Sequence, residues 1–265
     1  MERVIVCLKP VPDPKNWDLL KMDQKTKTLI RDGIPSAINP LDKHALEAAL
    51  QIKDVCGAEV VLLSMAPPFV EPVLREALAM GADRAVLLSD RVFAGSDTLA
   101  TARVLAAGVR SIGAFDLICC GNYTVDGSTA QVPSQVAELL GVPNVMHVSE
   151  MEFRPGNGVL VSQEIERGYA RLDGKPPLLL SFIKEANKPR YVSFLEMLEA
   201  EKREIKVLSN EDLGVDVSLL GLGGSPTKMA DLLLRKKKRE GVRLEGSPEE
   251  IAQQLADKMY QMGIL

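Results

Sequence analysis

The sequence predicts an α/β protein built on a mostly parallel sheet, with helices covering both of its faces. Short apolar runs rich in Val, Ile and Leu alternate with segments of helical periodicity, which is typical of strands buried on both sides. One strand and one helix together occupy about 30 residues, the length of a unit with a right-handed crossover. With 265 residues, 46% of them hydrophobic and 26% charged, the chain can form one large domain or a domain with an extension.

The strand–helix units follow one another through the first half of the chain. Pro10, Pro12 and Pro14 are expected to end the first strand, because proline cannot donate to a β ladder. A short extra strand is expected at 28–30. The main strands are predicted at 4–8, 59–64, 85–88 and 117–120, and the helices at 41–55, from after Pro68 to about 80, at 96–112, and over the apolar positions from 132 to 140.

The pattern changes after Pro143. Short strand-like runs at 145–148, 151–154 and 159–165, split at Gly156–Gly158, predict a small antiparallel excursion. A buried strand is expected at 178–183 and a loop at 186–191. The next predicted helix, at 193–203, should turn Phe194, Leu195 and Leu198 towards the interior.

From residue 205 the composition is that of an arm, so residues 1–204 are predicted to form the α/β domain and 205–265 a C-terminal arm. Residues 209–228 are rich in Ser, Asp, Gly and Pro; their glycines follow no strand, which favours a linker over a dinucleotide-binding fingerprint. Ser247 is a natural N-cap for a terminal helix. An apolar stripe on this helix must pack either on the chain's own core or on a partner: Ile251, Leu255, Met259 and Met262.

Composition excludes several classes of function. A net charge of -4 and 4% aromatic residues argue against a nucleic-acid-binding surface, and the basic run 235–239 is interpreted as a solvated helix face. No run approaches the ~20 apolar residues of a membrane span. The apolar stretch at the N-terminus, about six residues before Lys9, is too short for the apolar region of a signal peptide. The cysteines lack C-x-x-C spacing and two histidines are too few to suggest a zinc or iron site, so we expect free thiols in the cytoplasm: Cys7, Cys56, Cys119 and Cys120.

Residues 116–143 form the main candidate site. A strand at 117–120 ends at Gly121, a polar turn follows, and a helix begins close to Asp126–Thr129. Free backbone N–H groups at a helix start attract anions, and Gly127 lets the backbone approach a ligand closely. These features predict a phosphate or diphosphate seat at 126–132. The alternative is an ordinary helix cap, in which Ser or Thr bonds the first turn and no ligand binds.

Three further loops should meet this segment. Ligands of open α/β sheets bind at the carboxyl ends of the strands, where the loops 7–13, 64–68 and 121–132 are expected to converge. The turn at 39–42 would close the same crevice. The sequence contains no G-x-S-x-G motif, no Walker A loop and no evident pair of catalytic carboxylates. A cofactor would therefore carry any reaction.

Five motifs, taken in order, point to one family: V-I-V-C-L-K-P-V-P-D at 4–13, N-P-L-D at 39–42, E-A-L-A-M-G-A-D-R-A at 76–85, the segment 121–132, and K-P-R-Y at 188–191. In order and spacing they resemble the β subunit of electron transfer flavoproteins, of the FixA-like kind, over nearly the whole chain. The resemblance implies an adenine-nucleotide-hydrolase-like α/β fold. It also implies a heterodimer with a flavin-carrying α subunit, which the C-terminal arm would reach.

In that family the β subunit cradles an adenine nucleotide, and the resemblance carries this role to matching positions here. No catalytic side chain and no metal ligand is expected among them. The residues implied to bind the cofactor are Cys7, Leu8, Lys9, Asp13, Asn39, Pro40, Leu41, Asp42, Ser64, Met65, Gly121, Asn122, Thr124, Val125, Asp126, Gly127, Ser128, Thr129, Ala130, Gln131 and Val132.

The family has two branches, and the sequence is more similar to the electron-bifurcating one. That branch implies FAD in the β site, NADH as electron donor, and two acceptors: a flavin dehydrogenase, and ferredoxin or flavodoxin. The motifs concerned are V-P-D at 11–13, T-L-I-R-D-G at 28–33, V-D-G at 125–127, T-A-Q-V at 129–132 and G-S-P-T at 224–227. Ser128 and Pro133 depart from the branch pattern, where Asp and Gly are more usual.

Three alternatives remain at this stage. A non-bifurcating β subunit would hold a structural AMP and shuttle electrons from acyl-CoA dehydrogenases to a quinone reductase. A stand-alone adenine-nucleotide sensor would carry no flavin and would not need the arm. An adenylating, amidotransferase-like enzyme would need a Ser-Gly-Gly loop after the first strand, where this chain has Lys9-Pro10-Val11-Pro12.

Overall fold

The structure is a computed structural model that describes residues 1–19, 21–22, 29–30, 33–154, 158–228 and 241–264. It divides into two compact units, Met1–Ala230 and Asp231–Leu265. The first unit thus extends past residue 204, where the sequence placed the domain boundary. The predicted strand residue Thr28 and the basic run 235–239 lie outside the described residues.

The described residues of the first unit form thirteen strands. They are β1 (Arg3–Cys7), β2 (Pro10–Pro12), β3 (Lys21–Met22), β4 (Leu29–Ile30), β5 (Ser36–Ile38), β6 (Glu59–Met65), β7 (Arg84–Leu88), β8 (Leu117–Gly121), β9 (Asn144–Arg154), β10 (Gly158–Ile165), β11 (Gly168–Gly174), β12 (Leu178–Phe182) and β13 (Ile205–Leu208).

In the same described part of the unit, seven α-helices lie between or after the strands. They are α1 (Pro40–Cys56), α2 (Glu71–Ala79), α3 (Thr98–Ile112), α4 (Val132–Leu140), α5 (Phe194–Ala200), α6 (Asn210–Leu213) and α7 (Gly221–Gly224). Segments of 3₁₀ helix occur at Pro14–Leu19, which is kinked at Asn16, and at Pro68–Val70, Arg91–Phe93, Lys184–Ala186 and Val217–Leu219.

Nine strands form one sheet in the order β11-β10-β9-β12-β8-β1-β6-β7-β13. From β9 to β13 every pair is parallel, whereas β10 pairs antiparallel with β9 and with β11. This arrangement confirms the predicted fold class and its antiparallel excursion. The central strands are parallel because each is a short apolar run that can be buried on both faces; β8 and β12 are buried at every position.

Alternate residues of the central strands face two separate cores. On one face Val4, Val6 and Leu62 pack with side chains of α1 and α2. On the other face Ile5 and Leu63 pack with side chains of α3 and α4. Helices therefore cover both faces of the sheet, as the sequence predicted.

The prolines after β1 were expected only to end that strand, but the segment that contains them forms a strand of its own. Pro10–Pro12 forms the short strand β2, which pairs antiparallel with β5 in a separate two-stranded sheet. Val11, the central residue, lies opposite Ala37 and is fully buried. The ladder tolerates both prolines because it has only two strands and three residue pairs, so few N–H donors are needed.

The excursion also differs in detail from the prediction. The runs 145–148 and 151–154 belong to one continuous strand, β9, and β11 was not predicted at all. Most residues of β11 are exposed. Its sequence, Gly-Tyr-Ala-Arg-Leu-Asp-Gly, contains no apolar run that would predict a strand. Residues 155–157, where a turn was expected, fall in a gap between the described ranges.

The prediction that α5 buries an apolar face is wrong. Phe194 is 74% exposed, Leu195 72% and Leu198 49%, and the only buried residue of the helix is Ala200. Helical periodicity shows that apolar residues share a face, but not whether that face meets the chain's own core.

The interpretation of 209–228 as a linker is also wrong, because this segment packs on the start of α3. Leu220 and Ser225 are buried. Asp97 caps α3 by accepting from the Ala100 N–H, and its other oxygen accepts from both the N–H (2.9 Å) and the hydroxyl (2.5 Å) of Thr227. The N–H of Asp97 donates to the Ser225 hydroxyl at 2.8 Å. These bonds tie the segment to the sheet domain.

Replacing Asp97 with alanine should loosen this attachment. The variant loses a helix cap, at a cost of about 1–2 kcal/mol of unfolding free energy, together with both bonds to Thr227. We expect faster backbone hydrogen exchange over 219–228. Asp216→Ala is the control, because Asp216 only caps the turn at Ser218. Equal exchange in wild type and Asp97→Ala would contradict this prediction.

The second unit is described over residues 241–264 and contains the helix α8 (Pro248–Gln261). The predicted start is confirmed: the Ser247 side chain accepts from the Glu250 N–H, and the Glu250 carboxylate accepts from the Ser247 N–H. None of the residues of α8 is buried, including the apolar stripe. No helix in the described ranges is both long enough and apolar enough to cross a bilayer.

Candidate functional site

The loops that follow β1, β6 and β8 start side by side at the carboxyl edge of the sheet. Cys7 at the end of β1 lies opposite Leu63 of β6 on one side and Cys120 of β8 on the other. The N–H of Leu8 continues the ladder to Leu63 O at 2.9 Å. The structure thus brings together the loops that the sequence placed around one crevice.

The first turn of α1 joins two of these loops through Asp42. One carboxylate oxygen, Oδ2, accepts from the Lys9 N–H at 2.7 Å. The other, Oδ1, accepts from the Gly121 N–H at 3.2 Å and from the Asn39 amide at 3.0 Å. Burial raises the pKa of Asp42 to about 7, while these hydrogen bonds and the charge of Lys9 act in the opposite direction.

Asn39 extends the connection to the loop after β8. Its amide nitrogen donates to Tyr123 O at 3.0 Å, and its Oδ1 accepts from the Val125 N–H at 3.1 Å. Pro40 occupies the first position of α1, where a missing N–H costs nothing, and this fixes the turn that presents Asn39 and Asp42.

Gly121 is required by this packing. A β carbon at this position would overlap Asp42 Oδ1 and would lie 2.8 Å from the carbonyl carbon of Leu41. Only glycine lets the end of β8 approach the first turn of α1 closely enough for its N–H to reach Asp42.

Residues 122–131, which we name the anion loop, follow Gly121. Ser128 and Ala130 have left-handed backbones, with φ of 51° and 54°. Such conformations cost non-glycine residues about 1–3 kcal/mol each and concentrate at functional sites. Within the described part of the chain, the N–H groups of Gly127, Thr129 and Ala130 find no hydrogen-bond acceptor. These residues lie at the surface, so their N–H groups can meet an anion from solvent.

The helix after the loop begins later than predicted. α4 starts at Val132, and its N-cap Gln131 makes no side-chain cap bond. Ser128 does not cap it; the Ser128 N–H and hydroxyl donate to Thr124 O. The alternative of an ordinary Ser or Thr cap is therefore wrong for this helix.

Lys9 places a positive charge beside the anion loop. Its ammonium group pairs with the Asp126 carboxylate at 2.8 Å, and the Asp126 side chain is almost buried. The Lys9 side chain is partly exposed, so the cation can face a ligand while it offsets the charge of Asp126.

Strands β6 and β8 carry small, unreactive side chains near their carboxyl ends. Ser64, at the end of β6, is fully buried, and its hydroxyl is without a hydrogen-bond partner among the described residues. A hydrogen bond with Cys7 and burial raise the pKa of the Cys120 thiol, and burial raises that of Cys119. These thiols stay protonated near neutral pH, so they are not nucleophiles.

At two residues, Asp13 and Thr98, the structure adds to the sequence prediction. Asp13 bonds to Pro35 O through its N–H and to the Lys15 N–H through its side chain, not to the other predicted site residues. Thr98, which the sequence did not suggest, donates from its hydroxyl to Gln131 Oε1 at 3.0 Å. The carboxyl-edge rule could have indicated it, because α3 begins after the neighbouring strand β7.

These features fit a ligand that carries phosphate. Free backbone N–H groups and a lysine cation suit a phosphate or pyrophosphate, and an unpaired buried hydroxyl suits a polar atom of the ligand. The described ranges place no cluster of three His, Cys, Asp or Glu residues that could hold a metal ion.

Comparison with known proteins is consistent with this chemistry. The family model for the electron transfer flavoprotein domain matches residues 26–213. The chain is 44% identical to the electron transfer flavoprotein subunit beta of Thermoanaerobacterium thermosaccharolyticum, over 99% of each chain. It is 41% identical to the CarD subunit of the caffeyl-CoA reductase–Etf complex of Acetobacterium woodii, over 99% of this chain and 100% of that one.

A third relative is Protein FixA of Azorhizobium caulinodans, 42% identical over 84% of this chain and 81% of FixA. Such β subunits pair with an α subunit, associate with flavin or AMP, and work with dehydrogenases. The chain therefore belongs to the electron transfer flavoprotein family, as a β subunit of the FixA-like kind.

Proposed function

We propose that the chain is the β subunit of an electron-bifurcating flavoprotein, which binds FAD at the carboxyl edge of its sheet. The electrons would come from NADH and go to a flavin dehydrogenase and to ferredoxin or flavodoxin. The observation that carries the proposal is the anion loop, which presents beside Lys9 three N–H groups that have no acceptor among the described residues. The relative that belongs to a caffeyl-CoA reductase complex supports a dehydrogenase partner that acts on a CoA ester.

Under this proposal the anion loop and Lys9 hold the pyrophosphate of FAD, with the hydroxyls of Ser128 and Thr129 as further donors. The ends of β1 and β6, with Cys7, Leu8, Ser64 and Met65, and the turn 39–42 lie against the adenosine part. FAD supplies the redox chemistry that no side chain of this site can perform, namely accepting a hydride and passing on its two electrons. The chain's own part is to bind and orient the cofactor.

The charges of the site agree with a pyrophosphate ligand. Asp126 is the acidic residue nearest the proposed seat, and Lys9 offsets its charge at 2.8 Å. Gly127 adds no second carboxylate, which would repel the pyrophosphate by about 1 kcal/mol or more at contact distance. Ser128 and Pro133 depart from the bifurcating pattern without removing a bond: Pro133 lies in the first turn of α4, where no N–H donor is required.

Exposed apolar side chains support the proposed protein partners. The stripe on α8 would pack on the α subunit, in keeping with the expected role of 205–265 as the arm that reaches it. A sensor that acts alone would have no use for such a stripe or for the exposed apolar residues of α5. All four cysteines are free thiols, which supports the proposed cytoplasmic location.

A second candidate is the non-bifurcating β subunit with a structural AMP, because the same anion loop could seat one phosphate. Purification with the α subunit and a count of bound cofactors separates the two. We expect two FAD molecules per heterodimer, both bleached by NADH. One FAD with one AMP would contradict the bifurcating proposal, and adenine nucleotide without flavin would indicate a sensor.

A further inference from the structure

We propose that Asp42 is a positioning residue for this site: its carboxylate holds the end of β1 and the anion loop in the shape that binds the cofactor phosphates. The inference rests on the proposed function, because it concerns the same site. It gives Asp42 a role different from the direct contact with the cofactor that the family resemblance implied.

The carboxylate is not free to contact a ligand. Asp42 is 4% exposed, and both of its oxygens already accept hydrogen bonds from donors of the chain. Three N–H groups converge on it, from the loop after β1, from the end of β8 and from the turn before α1. A carboxylate with this set of partners acts on the ligand only through the segments that it holds.

Those segments lead directly to the proposed phosphate seat. The Lys9 N–H is fixed by Asp42, and the Lys9 ammonium pairs with Asp126 in the anion loop. Asn39, whose amide donates to Asp42, also donates to Tyr123 O and accepts from the Val125 N–H. Asp42 is therefore connected, through Lys9 and through Asn39, to the first half of the anion loop, at Tyr123, Val125 and Asp126. Its own position is fixed by α1, a 17-residue helix packed against the sheet.

The ionised form of Asp42 does not stabilise the fold, which argues against a purely structural role. Its pKa in the folded chain, about 7, lies above its ordinary value of 3.8. The folded state therefore holds the proton more tightly than the unfolded state, and its contribution to stability is lost as pH rises from about 4 to about 7. Near neutral pH, a neutral residue at this position would give a higher free energy of unfolding. Only the ionised carboxylate, however, accepts from all three N–H groups.

Because the two protonation states of Asp42 hold these N–H groups differently, FAD affinity should depend on pH. Protonation turns one oxygen into a donor that faces N–H donors, so the connection weakens below about pH 7. The groups that face the carboxyl are the Lys9 ammonium, itself paired with Asp126, and the Cys120 thiol, whose raised pKa keeps it neutral. The pyrophosphate of FAD is a diester with no proton to gain between pH 6 and 8. A change of FAD affinity in this range therefore reports on the protein.

The test is FAD affinity of the second flavin site in the intact heterodimer, measured by equilibrium dialysis at pH 6, 7 and 8 for wild type, Asp42→Asn and Asp42→Ala. For wild type we expect binding about tenfold tighter at pH 8 than at pH 6. Asp42→Asn should bind about tenfold more weakly than wild type at pH 8 and show no pH dependence. Asp42→Ala should bind more weakly still, because it leaves all three N–H groups without their acceptor.

Asp116→Asn is the matched control. Asp116 accepts from the N–H groups of Glu2 and Arg3 at the opposite end of β1, so its loss should lower thermal stability without changing FAD affinity. Unchanged affinity and pH profile in Asp42→Asn would overturn the inference. If that variant does not assemble, a flat wild-type pH profile would overturn it equally. A wild-type complex with no adenine cofactor in the β subunit would instead refute the proposed function itself.

Discussion

Replacing Gly121 with valine is expected to abolish cofactor binding in the β subunit and to destabilise the fold by several kcal/mol, on the order of an overpacked core plus a broken charged hydrogen bond. The new β carbon would overlap Asp42 Oδ1 and would lie 2.8 Å from Leu41 C and 2.9 Å from Asp42 N. Two of these three atoms belong to the backbone of α1. They cannot move aside without shifting a helix whose residues, such as Leu46 and Leu50, are fully packed in the core.

The Gly121→Val variant should therefore lose the hydrogen bond from the Gly121 N–H to Asp42 and, with it, the alignment of the anion loop that follows. Urea unfolding gives the loss of stability, and a count of bound flavin in the heterodimer gives the loss of binding. Gly127→Ala is the matched control within the same loop. Its β carbon would meet only Thr124 Oγ1, at the ordinary distance of 3.4 Å, so stability should change little. Equal stability of both variants would contradict the role given to Gly121.

The sequence located the site region but not the interactions that build it. The apolar runs of β1, β6 and β8 are visible in the sequence, and the rule that ligands bind at the carboxyl ends of parallel strands was enough to bring their loops together. The bond between Asp42 and Gly121 joins residues 79 positions apart. No local pattern encodes such a contact, because it depends on how closely α1 packs over the end of β8.

The wrong predictions share a physical cause, which is that local patterns do not reveal what a segment packs against. The apolar residues of α5 have helical spacing whether they face the chain's core or a partner, and in this chain they are exposed. The glycines at 221–224 have the composition of a linker. At Gly224, however, a β carbon would be 2.6 Å or less from the backbone of Leu219, so this glycine marks tight packing. The polar strand β11 joins the sheet through its pairing with β10, which no local apolar pattern predicts.

Replacing Phe182 with alanine is expected to give the largest loss of stability among core substitutions, with little effect on the cofactor. Phe182 is the largest fully buried side chain among the described residues and lies at the end of β12, between β8 and β9. Phe→Ala substitutions in cores cost about 3–5 kcal/mol. For a unit of this size each kcal/mol lowers the melting temperature by about 2–4 °C, so we expect a fall of roughly 10 °C in calorimetry.

Cofactor affinity should survive in Phe182→Ala because Phe182 supports the site through its main chain. Its carbonyl oxygen accepts from the Asn122 N–H at 3.0 Å, and this bond at the start of the anion loop does not need the phenyl ring. Phe182→Leu, which fills most of the cavity, should lose less stability and serves as the control. A Phe182→Ala variant with wild-type stability, or one that loses FAD while still folded below its lowered melting temperature, would contradict this separation of core packing from cofactor binding. In Gly121→Val, one strand away, stability and cofactor binding should be lost together, because the backbone N–H of Gly121 itself makes the contact with Asp42.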